Sequence, residues 1–183
     1  MIKKMFNKRY VIGIDPGTGS ESALGICLYD SEFKQILFTE SIWPTTGKAP
    51  RDMSTRERIY RISDKVKDIV ESIVESYGVE NVGLSIEAFL IRGKGGETLM
   101  RLKGAVLSKV PLKLEVVEIQ NTTVKKRAGG TGAANKKEIA EHLQTILPST
   151  NKEHMKELAR SCKWDEVDAV AIAYSAVEFV YEI

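Results

Sequence analysis

The order in which strand-like and helix-like segments follow one another constrains the fold of this chain more than any other feature. Three apolar segments, "VIGI", "ALGICLYD" and "KQILFTE", occupy the first forty residues and are separated by turn-forming residues, a pattern that predicts antiparallel strands. A helix, a fourth strand, a second helix, a fifth strand and further helices follow. Because strands joined through helices usually pair in parallel, the sequence predicts an α/β fold with a mixed five-stranded sheet flanked by helices.

The helices are predicted from apolar periodicity and from the residues at their ends. A long helix is expected from Ser54 to Tyr77, with a Ser/Glu capping-box pattern at its start and Gly78 just beyond its end. Asn135 and Glu138 make a second capping-box pair. Shorter helical segments are expected at 97–109, 121–126, 135–147, 152–160 and 165–180.

Composition places the chain among ordinary globular proteins. It has 183 residues, 43% hydrophobic and 28% charged, which suits a single domain over 1–183 with a full apolar core. Its two cysteines, Cys27 and Cys162, cannot form a disulfide framework, so a reducing compartment is expected. The basic N-terminus lacks the apolar segment of a signal peptide, and no apolar run is long enough to span a bilayer. A cytoplasmic protein without membrane association is expected.

Positive charge is concentrated in the middle of the sequence. The whole chain has a net charge of only +2, but the segment from Arg92 to Lys137 contains eleven Lys or Arg and three Glu, which gives it +8. Solvated lysines on a helix surface would account for part of this excess. A local basic region in a near-neutral protein otherwise indicates a phosphate-rich partner such as a nucleic acid.

Four carboxylates stand beside apolar, core-type runs: Asp15 after "VIGI", Glu87 after "GLSI", and Asp165 and Asp168 at the start of the last helix. Buried carboxylates cost free energy unless they are paired or bind a metal. If the first and fourth strands are neighbours, Asp15 and Glu87 end side by side, and the last helix can bring its two acids over them. Oxygen-only ligands favour Mg²⁺ or Mn²⁺, and two such ions about 4 Å apart can drive phosphodiester hydrolysis.

Each acid alone also has a structural explanation. Asp15 can form the turn at "DPG", and Asp165 is a favourable residue for a helix start whatever the function. Glu87 is harder to explain in this way because it lies between "LSI" and "AFL". The four acids together, next to the +8 segment, favour a catalytic site.

These segments resemble the RuvC family of Holliday junction resolvases, within the ribonuclease H-like superfamily. "GIDPG" resembles the motif that ends in the first catalytic Asp of the family, "SIEAF" its second acidic motif, and "DEVDAVAIA" its closing helix motif. "VKKRAGGTGAANKKEI" resembles the family's basic loop. The resemblance implies a ribonuclease H-like fold and a metal-dependent endonuclease that resolves four-way DNA junctions by paired symmetric nicks. Departures at 43–54 and 149–164 suggest a divergent branch, such as phage or organellar members.

The resemblance also assigns roles to individual residues. Asp15, Glu87, Asp165 and Asp168 would be the catalytic acids and the ligands of two Mg²⁺ or Mn²⁺ ions. Candidate DNA contacts are Lys125, Lys136, Phe89, Arg92 and Lys94. The implied partners are branched DNA and a second copy of the chain, paired through the second helix around Leu99, Leu102 and Val106.

Three alternatives remain open on the sequence alone. A nuclease of the same fold could act on other branched DNA or on structured RNA. A junction-binding protein without activity would gain from losing negative charge near phosphates, which disfavours it. "GIDPGT" also resembles the first phosphate loop of sugar kinases and heat-shock ATPases, but those proteins need two lobes and a longer chain.

Overall fold

A computed structural model describes residues 7–17, 24–44, 53–88 and 94–177, with residues 94 and 95 described by their backbone only. Within these ranges the chain forms five strands and six helices. In chain order they are β1 (Tyr10–Asp15), β2 (Leu24–Asp30), β3 (Gln35–Ile42), α1 (Thr55–Tyr77), β4 (Val82–Ala88), α2 (Lys94–Lys109), β5 (Glu115–Gln120), α3 (Asn121–Gly129), α4 (Lys136–Ile146), α5 (Ser149–Arg160) and α6 (Trp164–Val177).

The strands form one mixed sheet in the order β3-β2-β1-β4-β5. β1 pairs antiparallel with β2, and β2 pairs antiparallel with β3. On its other side β1 pairs parallel with β4, which pairs parallel with β5. The predicted fold class, three antiparallel strands followed by parallel strands in a helix-flanked sheet, is therefore confirmed.

The side chains of β1 alternate between two apolar layers. Ile12 and Ile14 pack in the layer that contains the buried residues of α1 and α2, whereas Val11 packs in the layer that contains the buried residues of α3 to α6. Because successive strand residues point to opposite faces, Asp15 lies on the same face as Val11. The helix that carries Asp165 and Asp168 thus covers the face on which Asp15 lies.

The predicted helix ends are confirmed at α1 and α4. The Ser54 hydroxyl accepts a hydrogen bond of 3.1 Å from the backbone N–H of Glu57, and α1 ends at Gly78, whose φ of 81° favours glycine. Asn135 and Glu138 form a complete capping box at the start of α4. Each cap satisfies backbone groups that a helix end would otherwise leave without a partner.

Three helices are longer than the sequence predicts. α2 begins at Lys94 instead of 97, and α5 begins at Ser149 instead of 152. α3 continues to Gly129 through a segment that was expected to be a loop, because the two successive glycines favoured one. Ala128 is fully buried in the layer beneath α6, so tertiary packing keeps this last turn helical against the weak intrinsic propensity of glycine.

The proposed pairing surface on α2 needs a correction. Leu102 and Val106 are fully buried in the chain's own core, in the apolar layer that α2 shares with α1 and one face of the sheet. They are therefore unavailable to a second copy, and their apolar spacing reflects the packing of α2 within its own chain. Leu99 is only partly buried, so its place in a pairing surface stays a prediction. Within the described ranges, no helix combines the length and apolar character needed to cross a bilayer.

Candidate active site

Asp15 and Glu87 lie side by side at the carboxyl ends of two adjacent strands. β1 and β4 are parallel, with Ile14 opposite Ile86, so the next residues along the two strands are neighbours. Both side chains are only partly accessible to solvent. The central place of β1 in the sheet therefore puts one carboxylate in the middle of the site and a second beside it.

Helix α6 brings the other two carboxylates over these strand ends. A Cβ on Gly25, the residue of β2 that pairs with Asp15, would lie 1.9 Å from the backbone oxygen of Asp165. A Cβ on Gly13 would lie 2.2 Å from the backbone oxygen of Ala169. Only residues without a side chain permit such close approach, so these two glycines let α6 lie directly on β1 and β2.

The structure thus brings the four predicted acids together from three elements. The negative charges of Asp168, Glu87 and Asp165 all act on Asp15. Burial first, and then these charges, raise the pKa of Asp15 well above its usual range. Burial is also the largest cause of the raised pKa values of Glu87 and Asp168. Ionisation of all the carboxyl groups in such a cluster is unfavourable unless cations compensate the negative charge.

Lys136, at the start of α4, places a cation directly against the cluster. Its ammonium lies 2.6 Å from a carboxylate oxygen of Asp168. Partial burial acts to lower the pKa of Lys136, but the hydrogen bond to Asp168 and the charges of Asp168, Asp15 and Asp165 outweigh it and raise that pKa. Lys125 on α3 adds positive charge that acts on both Glu87 and Asp168.

A pocket of about 270 Å³ opens between β4, α3, α4 and α6. Its polar lining includes Glu87, Asp168, Lys125 and Lys136. Two of the four predicted acids and both predicted lysines therefore share this cavity, with Glu87 on the sheet, Asp168 on α6 and the two cations on α3 and α4. This arrangement places positive charge where a phosphate could approach the carboxylates. Asp165 instead lines a second pocket beside Thr39 and Ser41.

Sequence reasoning missed Asn121, which also lines this pocket. Its side-chain amide donates a hydrogen bond of 2.6 Å to Glu87, and this bond acts to lower the pKa that burial raises. Asn121 follows β5 directly, and β5 is the parallel neighbour of β4. An amide at the carboxyl end of the strand next to Glu87 is the signal that could have identified it.

The donor set fits a hard divalent cation in its chemistry, because all four acids offer oxygen and their crowding disfavours the fully charged state. Within the described residues, however, no three His, Cys, Asp or Glu side chains converge closely enough to enclose an ion. The ammonium of Lys136 instead lies against Asp168. An ion held by these residues would therefore compete with Lys136 for the carboxylate of Asp168.

The remaining predicted DNA contacts are not described. Phe89 and Arg92 lie outside the described residues, and the description of Lys94 at the start of α2 does not include its side chain. Their assignment as DNA-binding residues stays a prediction.

Comparison with known proteins agrees with this architecture. The family model "Crossover junction endodeoxyribonuclease RuvC" matches residues 11–175. RuvC from Rickettsia bellii (strain OSU 85-389) is 28% identical over 171 residues, covering 91% of this chain and 96% of that protein. RuvC from Rickettsia typhi is 26% identical with the same coverage.

Solved structures show the same fold. The structure of Thermus thermophilus RuvC matches with a TM-score of 0.61 and 22% identity, covering 93% of this chain and 99% of that chain. The T. thermophilus RuvC in complex with Holliday junction substrate matches with a TM-score of 0.57 and 20% identity. A mixed sheet of this order, flanked by helices, is the ribonuclease H-like fold. The chain belongs to the RuvC family of crossover junction endodeoxyribonucleases, as its motifs predict.

Proposed function

We propose that this protein is an endonuclease that resolves four-way DNA junctions by hydrolysing phosphodiester bonds. The observation that carries the proposal is the convergence of Asp15, Glu87 and Asp168 beside the ammonium of Lys136, in a chain whose family is named for crossover junction cleavage. The family assignment also decides against the kinase-like and ATPase alternative.

We further propose that Asp15, Glu87, Asp165 and Asp168 hold two Mg²⁺ or Mn²⁺ ions. When bound, these ions would activate a water molecule and stabilise the leaving oxygen. Asp15 would be the central ligand of this site, because it lies at the carboxyl end of the central strand β1, next to the end of β4 that carries Glu87. Asp168 is the acid of α6 that lines the pocket with Glu87, Lys125 and Lys136, so it would be the more essential acid of the α6 pair.

The lysines have a separate task in this proposal. Lys136 pairs with Asp168 in the free protein, and its side chain is about half exposed at 51%, so it can turn toward a phosphate oxygen when DNA arrives. Lys125 lines the same pocket from α3. Both would hold the scissile phosphate against the carboxylates through charge-assisted hydrogen bonds, which are stronger than neutral ones.

The test uses a synthetic four-way junction with duplex, fork and RNA hairpin controls, each incubated with Mg²⁺ and with Mn²⁺. The expected result is symmetric nicking of the junction that depends on the metal and exceeds cleavage of every control. Equal or faster cleavage of the fork or the hairpin would instead favour the alternative substrates, other branched DNA or structured RNA. No cleavage of any substrate with either metal would contradict the nuclease proposal.

A further inference from the structure

Glu166, the neighbour of Asp165 on α6, is a buried carboxylate that lies outside the predicted acidic cluster. It is only 2% exposed. Its two oxygens accept hydrogen bonds from the hydroxyls of Thr39, at 2.5 Å, and Ser41, at 2.9 Å, and the ammonium of Lys163 lies 3.3 Å away. A buried carboxylate costs free energy unless such donors compensate it. Two hydroxyls and one ammonium therefore compensate the buried charge of Glu166 at the start of α6.

Thr39 is itself held from a second helix. Its hydroxyl oxygen lies 3.1 Å from Nε2 of His154 on α5. A hydroxyl has one proton, so if Thr39 donates it to Glu166, the histidine must donate its Nε2–H to the Thr39 oxygen. Hydrogen bonds thus connect Glu166 on α6 to His154 on α5 through the hydroxyl of Thr39 on the edge strand β3.

The strand register places this contact in line with the active site. Ser41 on β3 pairs with Gly25 on β2, and Gly25 pairs with Asp15 on β1. Because adjacent strands are about 4.8 Å apart, Ser41 lies two strands, or about 10 Å, from Asp15. The first turn of α6 crosses this row: Glu166 bonds Ser41 at one end, and the backbone of Asp165 lies over Gly25 in the middle.

Two independent features therefore set the position of this turn. The missing side chain at Gly25 sets how closely α6 approaches the sheet, since a Cβ there would lie 1.9 Å from the Asp165 oxygen. The bonds of Glu166 to β3 set where the turn lies along the row. Close approach alone would leave the turn free to slide along this row, and the like charges of Asp15 and Asp165 would drive it away from β1.

We propose that Glu166, with Thr39 and Ser41, is a positioning set that holds the first turn of α6 so that Asp165 and Asp168 reach Asp15 in a geometry able to bind divalent metal. The inference rests on the proposed metal-dependent nuclease function. None of the three residues is proposed to touch DNA or metal. They act through the backbone of α6, in the way that residues behind metal ligands commonly control metal affinity.

The test compares the Thr39→Val, Ser41→Ala double variant with the wild type. This variant removes both hydroxyl donors and leaves every residue of α6 unchanged. Two quantities are measured: the affinity for Mn²⁺ without DNA, by titration calorimetry, and the Mg²⁺ concentration that gives half-maximal junction nicking. We expect Mn²⁺ affinity to fall, and the Mg²⁺ requirement to rise, on the order of 10-fold. Metal-free junction binding should be unchanged.

Two further variants separate positioning from stability. Glu166→Gln, made in the wild type, keeps an amide oxygen that can accept from a hydroxyl and an NH₂ group that can donate to one, so it should retain much of the metal affinity that the double variant loses. Ser63→Ala is the matched control: Ser63 is a fully buried serine on α1 whose hydroxyl bonds the backbone oxygen of Tyr60, on the opposite face of the sheet. It should leave the metal affinity at the wild-type value even where it lowers the melting temperature.

The outcomes decide between the alternatives. Wild-type Mn²⁺ affinity in the double variant, or an equal loss in Ser63→Ala, would overturn the positioning role. If the double variant does not fold, Glu166→Leu, which removes the buried charge together with the contact, is expected to fold and to lose metal affinity; wild-type affinity there would equally overturn the proposal. A wild-type protein that neither binds Mn²⁺ nor nicks junctions would instead refute the proposed function itself.

Discussion

The ammonium of Lys136 lies 2.6 Å from a carboxylate oxygen of Asp168, so the acidic site of the free protein contains its own cation. This pair forms across α4 and α6, between residues that sequence comparison places in two separate motifs. Asp168 is only partly exposed, at 20%, whereas Lys136 reaches it from the solvent side with 51% of its side chain exposed. An exposed partner of this kind can be exchanged for another cation at little cost.

Replacing Lys136 by alanine should lower junction nicking far more than it lowers stability. A half-exposed ion pair contributes no more than about 1 kcal/mol to folding, whereas loss of a phosphate contact in the proposed transition state acts directly on the rate. The control is Lys137→Ala, because Lys137 is an exposed neighbour that pairs with Glu141 on its own helix. Nicking rates at moderate salt and melting curves are compared. An unchanged rate in Lys136→Ala would remove this lysine from the site.

Changing Asp15 or Asp168 to asparagine should nearly abolish cleavage while leaving junction binding intact. The amide keeps the shape but removes a charge that the proposed metal site requires, so the rate should fall on the order of 1000-fold. Binding should persist or tighten because less negative charge faces the phosphates. Asp68→Asn, on the exposed side of α1, is the control for a carboxylate remote from the site. Near wild-type nicking in both site variants would refute the nuclease assignment of these acids.

The metal-free protein should become less stable, relative to Asp15→Asn, as the pH rises. The pKa of Asp15 is raised well above its usual range in the folded state, by burial and by the charges of Asp168 and Glu87. A carboxyl group with a raised folded-state pKa stabilises the fold fully below its unfolded pKa, near 4, and loses that contribution as the pH rises through the folded value. The melting-temperature advantage of Asp15→Asn in a chelator should therefore grow from about pH 4 upward. A pH-independent difference would contradict this, and added Mg²⁺ should reduce it.

The placement of the acids could be predicted because it follows from local pattern and connectivity. Asp15 and Glu87 each end an apolar strand segment, and a sheet in which β1 and β4 are parallel neighbours must bring those ends together. Asp165 and Asp168 share a face of one helix because they are three residues apart. No information beyond the order of the elements is needed to bring these four residues near one another.

The contacts that surround the acids could not be predicted, because they depend on packing between distant segments. Glu166 bonds residues 127 and 125 positions away on the edge strand, and nothing in the pattern around Thr39 or Ser41 indicates a buried carboxylate partner. The dimer surface was wrong at Leu102 and Val106 for a related reason. An apolar stripe on a helix does not reveal whether it faces its own core or another chain, and here it packs in the core formed with α1 and the sheet.

The protein should nevertheless be a dimer in solution. A four-way junction offers two equivalent cleavage positions, and a two-fold symmetric protein matches such a substrate. Since Leu102 and Val106 are buried within the chain, their replacement by alanine should lower the melting temperature without a specific effect on dimerisation. Light scattering at micromolar concentration should give twice the chain mass for the wild type. A monomer mass at that concentration would count against paired nicking by one assembled enzyme.

Replacing Asn121 by alanine should weaken metal binding less than Glu87→Gln does. Asn121 donates a 2.6 Å hydrogen bond to Glu87, and removing it takes away a hydrogen bond that acts to lower the raised pKa of Glu87. Glu87 would then be protonated over a wider pH range and less firmly oriented, so the Mg²⁺ concentration for half-maximal nicking should rise, most strongly at low pH. Thr122→Ala, an exposed neighbour on the same turn of α3, is the control. If Asn121→Ala shows the same Mg²⁺ requirement as this control at every pH, Glu87 does not depend on Asn121, and the amide is only the first residue of α3.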